Sequence, residues 1–595
     1  MRNTQTIIII FASFFICSSC RKNILDTYPY SSISSSTMWT TDNLTDLGVA
    51  GVYNGLRIGI TTGSYSPSGY ELYQMDGISV TGQMRGDAKD GLLNGTASPG
   101  SDIFANLFRA MYEGIQRAND AIYSIPAKSP SESVKKARYI AECKFLRAYY
   151  YFRLNQLYKG VPVYLEPITA DQATKGRETE EKVWEVVLTD LNDCINETNL
   201  PQKYAAKDAK YGHITKGAAY ALRGKVYMYQ HKWDAAIADF EKVKDCGYAL
   251  FAGSYKTLFK EANEQSDEMI FSIQNMAQAD YGGNMQLFLG SRASFGSCWD
   301  VYLPSPHLVD LYEKPDGSKF NWDDIIPGFN AMPASKREVY FFRDNLTQKE
   351  IDDAIKKGLD MSQYIPGGNE ARIKKAYENR DPRLSATVIT PYSSYLGTPL
   401  AGTDQNYTMR WPFRDANLPV QDLRTDWSSF FVYLYRKFVG EGSNEVLVRD
   451  QTPIDIPVIR YADVLLMWAE ALNEKSNVPA AIELVNAVRS RAGIALLQTG
   501  NANLPTFVSG QADMRERIRN ERRVEFACEG IDYFDELRWG TLKEKVFANG
   551  NGVLRVWGEN ITTYKYPGDY ITTWPIPRAE VQRNSNITPT PGWPY

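Results

Sequence analysis

Histidine is close to missing from this chain: His213, His231 and His307 are the only three, far apart and without metal-ligand spacing. No HExxH string, nucleophile elbow or phosphate loop occurs, so the motif-bearing catalytic classes have no support and no cofactor is implied. A glycosidase carboxylate pair stays open, because its spacing is a property of the fold. Net charge is −4, which lacks the basic footprint of a nucleic-acid binder. The seven cysteines are too scattered for a disulfide framework. Cys143, Cys194 and Cys246 fall among apolar residues in helical patterns and are expected to be buried free thiols. Long apolar runs are missing too, with one exception. Ile7 to Ile16 is about ten residues, roughly half of what spans a bilayer.

That run follows Arg2 and precedes Ser18 and Ser19, small residues suited to cleavage, which marks a secretory signal over residues 1–19. A cysteine placed directly after them, Cys20, resembles a bacterial lipoprotein signal, although Cys17 stands where Leu is usual. The resemblance implies that Cys20 becomes the mature N-terminus and carries acyl chains. Each buried methylene contributes roughly 0.8 kcal/mol, so two or more chains anchor a protein stably. Cys17 and Cys20 also form a CxxC, which carries no redox or zinc meaning inside a cleaved segment.

What the chain has in quantity is aromatic surface: 13% of residues, with 38 Tyr and 12 Trp, which suits either a large core or stacking on carbohydrate. Apolar recurrence at three and four predicts helices through Phe104–Ile122, Ile140–Phe152 and Val183–Ile195. A helix pair follows, 215–230 and 233–244, with small Ala219 and Gly224 on the first helix and Ala235, Ala236, Ile237 and Phe240 on the second; it resembles a tetratricopeptide repeat. A second pair, 461–473 and 479–492, stops at Gly493. The expected fold is therefore mostly α: a tetratricopeptide-like helical-repeat superhelix with a large, irregular, loop-rich insertion containing short β-strands. The scaffold is placed at about 30–58, 104–250 and 456–545. The loop-rich part is placed at about 59–103 and 250–455, with strand-like pieces at 269–273 and 430–438. Gly59 to Gly100 holds nine glycines among Tyr65, Tyr70 and Tyr73, a composition that favours an ordered binding loop.

Several strings are more specific. They include Leu25-Asp26-Thr27-Tyr28-Pro29, Ser266 through Gln274, Asn379-Arg380-Asp381-Pro382-Arg383-Leu384 and Tyr435-Arg436-Lys437-Phe438. Pro457 through Ala471 is the longest, followed by Val485 through Gly493, Glu521 through Phe526, Tyr533 through Trp539, and Trp574-Pro575-Ile576-Pro577. In this order they resemble the SusD/RagB family of Bacteroidetes outer-membrane nutrient-binding lipoproteins, over nearly the whole chain from Cys20 to Tyr595. Read physically, Pro382 holds Asp381 extended so that Asp381 and Arg383 anchor a turn while Leu384 packs. Arg517 with Glu521, and Arg522 with Glu525, are spaced to pair on one helix face. These charges are read as solvated or bridging helices, hence scaffold.

The resemblance implies a cell-surface protein, lipid-anchored in the outer membrane, that binds oligosaccharides and hands them to a SusC-like TonB-dependent transporter. Peptide is the alternative ligand. Surface members often carry acidic residues after the lipid cysteine; here Arg21, Lys22 and Asn23 precede a lone Asp26, which leaves the periplasmic face open. Family binding residues come from variable loops. The corresponding candidates are Tyr65, Tyr70 and Tyr73, then Tyr281, Trp299 and Trp322, with Arg85, Asp87 and Asn284 as hydroxyl partners. Trp299 leads, because Gly296 and Ser297 precede it and Pro304 follows. Trp411 and Trp427 are read as more structural. No catalytic or metal residue is assigned.

Overall fold

The structure, a computed structural model, describes residues 37–57, 71–85, 91–398, 403–414, 421–425, 430–445, 448–548 and 550–595. Helix α1 (Asp42–Tyr53) starts where Thr41 accepts a hydrogen bond from the Leu44 N–H, satisfying one of the open amides of a first turn. A short strand β1 (Gly82–Met84) precedes two long helices, α2 (Asp102–Lys128) and α3 (Ser133–Tyr158). Then come α4 (Glu180–Asn196), α5 (Lys216–Tyr229) and α6 (Trp233–Asp245). Thr179 and Thr215 cap α4 and α5 in the same way as Thr41.

Close approach between these helices depends on missing side chains. A Cβ at Gly224 would lie 2.5 Å from the Phe240 ring, so only glycine lets α5 and α6 pack at this depth. A Cβ at Gly114 would lie 2.6 Å from the Tyr150 ring between α2 and α3. The apolar stripe expected on α3 is wider than its periodicity implied. Every residue from Phe145 to Tyr158 is buried, because α3 is flanked on several sides by other helices and by the C-terminal segment, where the Trp574 N–H donates to the Leu157 carbonyl.

Strand β2 (Met269–Ile273) opens the irregular part, which contains helix α7 (Met285–Leu289), strand β3 (Tyr302–Pro304) and the hairpin β4 (Ser394–Gly397) with β5 (Gln405–Thr408). Strand β6 (Ile456–Arg460) closes it by pairing antiparallel with β2, Met269 opposite Arg460 and Ile273 opposite Ile456. The strand expected at 430–438 shrinks to Leu434–Tyr435, paired with Val388–Ile389; its neighbours Phe431 to Tyr433 are buried on all sides. Helices α8 (Tyr461–Glu474), α9 (Val478–Ala492), α10 (Gln511–Glu525) and α11 (Asp532–Trp539) follow. Gly493 ends α9 at φ +75°, as its sequence position predicted. Two apolar cores result. One runs through the helices and the C-terminal segment, the other lies under the irregular part. Cys143 and Cys194 are buried free thiols as expected, and Cys246 is half-buried.

A buried ionic network joins the two. Arg460 meets Glu268, Glu525 and Glu529, and Arg383 meets Asp381, Glu521 and Glu525. Lys437 bonds Glu529 at 2.6 Å, and Arg489 reaches Glu313 and Glu521 at 2.9 and 3.0 Å. Asp381 also caps the turn at Arg383 as its Pro382 neighbour implied, and Leu384 is buried. The pairs expected along α10 do not form. Arg517 bonds Asp513 instead, while Arg522 turns to Asp463 and Asp535, leaving Glu521 and Glu525 to arginines of other elements. Burial explains the change. Inside the protein a carboxylate needs several donors, and a single neighbour on its own helix supplies too few.

Candidate functional site

Strands β1 and β3 pair antiparallel, Gly82 opposite Pro304 and Met84 opposite Tyr302. This ladder joins the two stretches from which ligand residues were drawn. It continues past Met84, where the Arg85 N–H donates to the Val301 carbonyl at 2.7 Å and the Arg85 guanidinium donates to the Trp299 carbonyl. On its other side the 299–301 segment lies along the end of α7. The N–H groups of Trp299, Asp300 and Val301 donate to the carbonyls of Leu287, Gly290 and Phe288 at 2.7–2.8 Å. Trp299 is thereby fixed at its backbone from two directions while its ring is only half-buried.

The backbone around it is strained. Gly296, Ser297 and Asp300 all have positive φ, at +78°, +58° and +38°; for the two non-glycines this costs energy that the surrounding bonds must hold. The Phe288 ring meets the Trp299 ring edge-on at 6.4 Å, and the Arg449 guanidinium sits 5.9 Å from its centroid. Arg449 also donates to the carbonyls of Gly296 and Ser297 at 2.6 and 2.9 Å. Exposed Arg292 reaches the Ser297 hydroxyl at 3.3 Å. Beneath them Asp300 is fully buried. Burial raises its carboxyl to about 7, against the pull of Arg85 and Arg292.

Tyr281 stands at the other end of the same surface, 54% exposed, beside Met276 at 58%. Its turn is closed by the Met276 N–H donating to the Tyr281 carbonyl at 2.8 Å, and Arg57 holds the Gly282 and Gln274 carbonyls. The segment 448–452 connects the two ends. Arg449 touches the Trp299 loop, Gln451 underlies Gly282, and Thr452 exchanges two backbone bonds of 2.9 Å with Gly283. The β4–β5 hairpin forms a third side, with the Tyr395 hydroxyl 2.7 Å from that of Ser294 and Leu396 exposed at its rim.

Three expected ligand residues are not available to a ligand. Tyr73 is 1% exposed, its ring edge-on to Tyr302 at 5.9 Å, because the glycine-rich stretch folds there into a wholly buried turn of helix over Leu72–Ile78. Trp322 lies in the core, stacked on Phe329 at 4.7 Å with its indole N–H donated to Asp310. Asn284 is buried at the start of α7. Trp411 is structural as read, its N–H on Glu338 and its ring among Phe413, Phe431 and Trp557. Tyr65, Tyr70, Asp87, Trp427 and Cys20 lie outside the described residues. Arg449 and Arg292 were not anticipated. Neither sits in a periodic or motif-bearing stretch; Arg292 belongs to the same loop as Ser297, and only the tertiary pairing brings Arg449 to Trp299.

The chemistry of this surface is a set of partly exposed aromatic rings with guanidinium donors at their edges and fixed backbone beneath. Such a surface stacks on flat apolar faces and donates hydrogen bonds beside them. Among the described residues no cluster of His, Cys, Asp or Glu is arranged to hold a metal.

Comparison with known proteins gives two family matches. The model described as the SusD family matches residues 267–593, and one described as starch-binding associating with outer membrane matches residues 70–228. The SusD-like protein P25 of Formosa agariphila is 23% identical, covering 98% of this chain and 97% of its own. A SusD-like protein of Bacteroides ovatus is 24% identical over 62% of this chain and 67% of its own. Among solved structures, a SusD-like carbohydrate binding protein from Bacteroides fragilis superposes with a TM-score of 0.73 at 24% identity, over 93% of this chain and all of that one. A laminarin binding SusD-like protein superposes with a TM-score of 0.63 at 22% identity over the same shares. At these identities the superpositions establish the shared fold.

Proposed function

The chain belongs to the SusD family, and from that premise we propose that it is a glycan-binding lipoprotein of the outer membrane. In this reading Cys20 carries the lipid anchor, the protein faces the cell exterior, and captured oligosaccharides pass to a SusC-like TonB-dependent transporter. It binds and does not turn over. The names of its relatives, a carbohydrate binding protein and a laminarin binding one, support the ligand class.

The observation that carries the proposal is the setting of Trp299: a half-exposed indole fixed at its backbone from two sides, with Arg449 over it and Arg85 behind it. A pyranose presents its C–H face to such a ring, and the guanidinium N–H groups beside the ring meet its hydroxyls. Tyr281, on the same surface, extends contact to further units. One ring contributes about 0.5–1.5 kcal/mol beyond area burial, so capture is weak, micromolar or worse, and favours oligomers over monosaccharides.

The test is a glycan array probed with the soluble chain from Arg21 to Tyr595, followed by titration calorimetry. We expect one glycan class to bind and Trp299→Ala to weaken it about ten-fold or more, the melting temperature staying close to that of the parent. Blank arrays from folded protein would remove the glycan reading and move the search to peptides. Release of shorter sugars by the pure protein would remove the binding-only reading.

A further inference from the structure

Arg153 lies in the stretch of α3 that is buried on all sides and is itself 5% exposed. A guanidinium keeps its proton inside a protein, so its charge has to be met locally. Elsewhere the fold does this with carboxylates. Arg147, on the same helix, holds Asp190 by two bonds of 2.8 Å. Arg153 has no carboxylate at ion-pair distance among the described residues. Its one hydrogen bond is a long 3.4 Å from Nη1 to Gln156 Oε1, and its face rests on the Phe534 ring at 4.4 Å. Burial pushes its pKa down, and the groups that oppose this are the hydroxyls of Tyr149 and Tyr229.

Arg153 lines a cavity of about 40 Å³ together with Lys225, Glu529 and Asp535, walled by apolar side chains such as Phe152 and Met467. The other charges there are committed. Lys225 bonds Asp463 at 2.5 Å, Glu529 bonds Lys437 and Arg460 at 2.6 and 2.7 Å, and Asp535 bonds Arg522 and Arg538 at 2.6 and 3.0 Å. A space of this size holds roughly two or three water-sized occupants.

We propose that Arg153 holds a small monovalent inorganic anion, a halide in class, in this cavity between α3, α5, α8 and α11. Water would satisfy donors but leave the charge. An oxyanion has several acceptor oxygens, and the wall has few free donors for them: Gln156 already donates to the Tyr229 hydroxyl at 2.6 Å. A halide asks only for positive charge and a snug, partly apolar wall. Bound there, it completes the ionic network where the early helices meet the late ones. This site is separate from the Trp299 surface and is expected whatever ligand that surface takes.

The test uses the whole mature chain. Crystals grown in sodium bromide should show an anomalous peak inside the cavity, at contact distance from the Arg153 guanidinium. Bromide confined to the molecular surface, with water or nothing in the cavity, overturns the proposal. In solution, replacing gluconate by chloride at constant ionic strength should raise the melting temperature of the parent by about 1–3 °C and saturate. Arg153→Met should show no chloride dependence; an equal response from both proteins overturns the proposal. Should that variant fail to fold, the bromide map decides alone.

Discussion

At Asp76 burial pushes the carboxyl up to about 8, helped by Asp532 and Glu529 nearby, while a Gly530 N–H and Lys437 draw it down. Its Oδ1 has no hydrogen-bond partner among the described residues, while Oδ2 accepts from Gly530 at 3.1 Å. Burial likewise raises Glu71 to about 7. Both folded values lie above the roughly 4 of an unfolded carboxyl, so between those limits the native state binds more protons than the unfolded one. Their contribution to stability is complete below about pH 4 and is lost as pH rises through 7 and 8. Melting temperature should therefore fall across that window, and Asp76→Asn should flatten the fall and be neutral or stabilising at pH 8. A variant as pH-sensitive as the parent would contradict the assignment. Asp463 has the opposite sign. Although burial opposes them, Lys225 and Arg522 hold it at about 2, so its contribution is present above about pH 4 and disappears as pH falls toward 2.

Helices α5 and α6 show what is specified at the level of an element. Gly224 costs helix propensity, about 1 kcal/mol against alanine, and returns it by admitting the Phe240 ring. Gly224→Ala should gain the propensity yet force that ring aside. Overpacking of this kind costs about 1–3 kcal/mol, so we expect a net loss of up to about 2 kcal/mol in denaturant unfolding. An unchanged midpoint would mean the pair can slide apart. This pair was legible in the sequence because each helix declares itself through local spacing and the small residues mark where they touch. The glycine-rich stretch was not. Glycine and tyrosine there read as a surface loop, but Tyr73 and its neighbours fold inward, and nothing local distinguishes a tyrosine on a binding surface from one in a core. Trp299 was legible as an aromatic in a turn and Arg85 as a polar candidate of the early loop; Arg449 was not, because a long run of chain separates it from Trp299 and only the tertiary fold brings it to the ring.

Across the whole molecule, the charges of the late helices are the joints between cores. Arg460 alone faces Glu268, Glu525 and Glu529 in an interior where it is 1% exposed. Arg460→Met would leave Glu268, Glu525 and Glu529 with only Arg491, Arg383 and Lys437 to meet their charge and should cost about 3–5 kcal/mol, read as a lower urea midpoint. It should leave the Trp299 surface intact at temperatures where the variant is folded, so that any bound glycan binds unchanged. Loss of binding by a folded variant would show that the frame and the surface are coupled. The strings that carry these residues identified the family without revealing why they are needed: along α10 they suggested neighbours pairing in sequence, whereas each charge answers a different part of the fold.

The pairing of β2 with β6 bears on how such a protein can change over time. The chain leaves the helical frame after Ile273 and re-enters it at Ile456, and those two residues stand opposite each other. Everything between, including Tyr281, Trp299 and Arg449, enters and leaves through one doorway. A replacement between them finds its two ends already docked, and what the late helices require of it are the charges at Glu313, Arg383 and Lys437. Arg85, arriving from outside on β1, also crosses the threshold, as Arg57 does where it holds the Gly282 carbonyl. One frame can in this way carry interchangeable cassettes, each free to present a different surface.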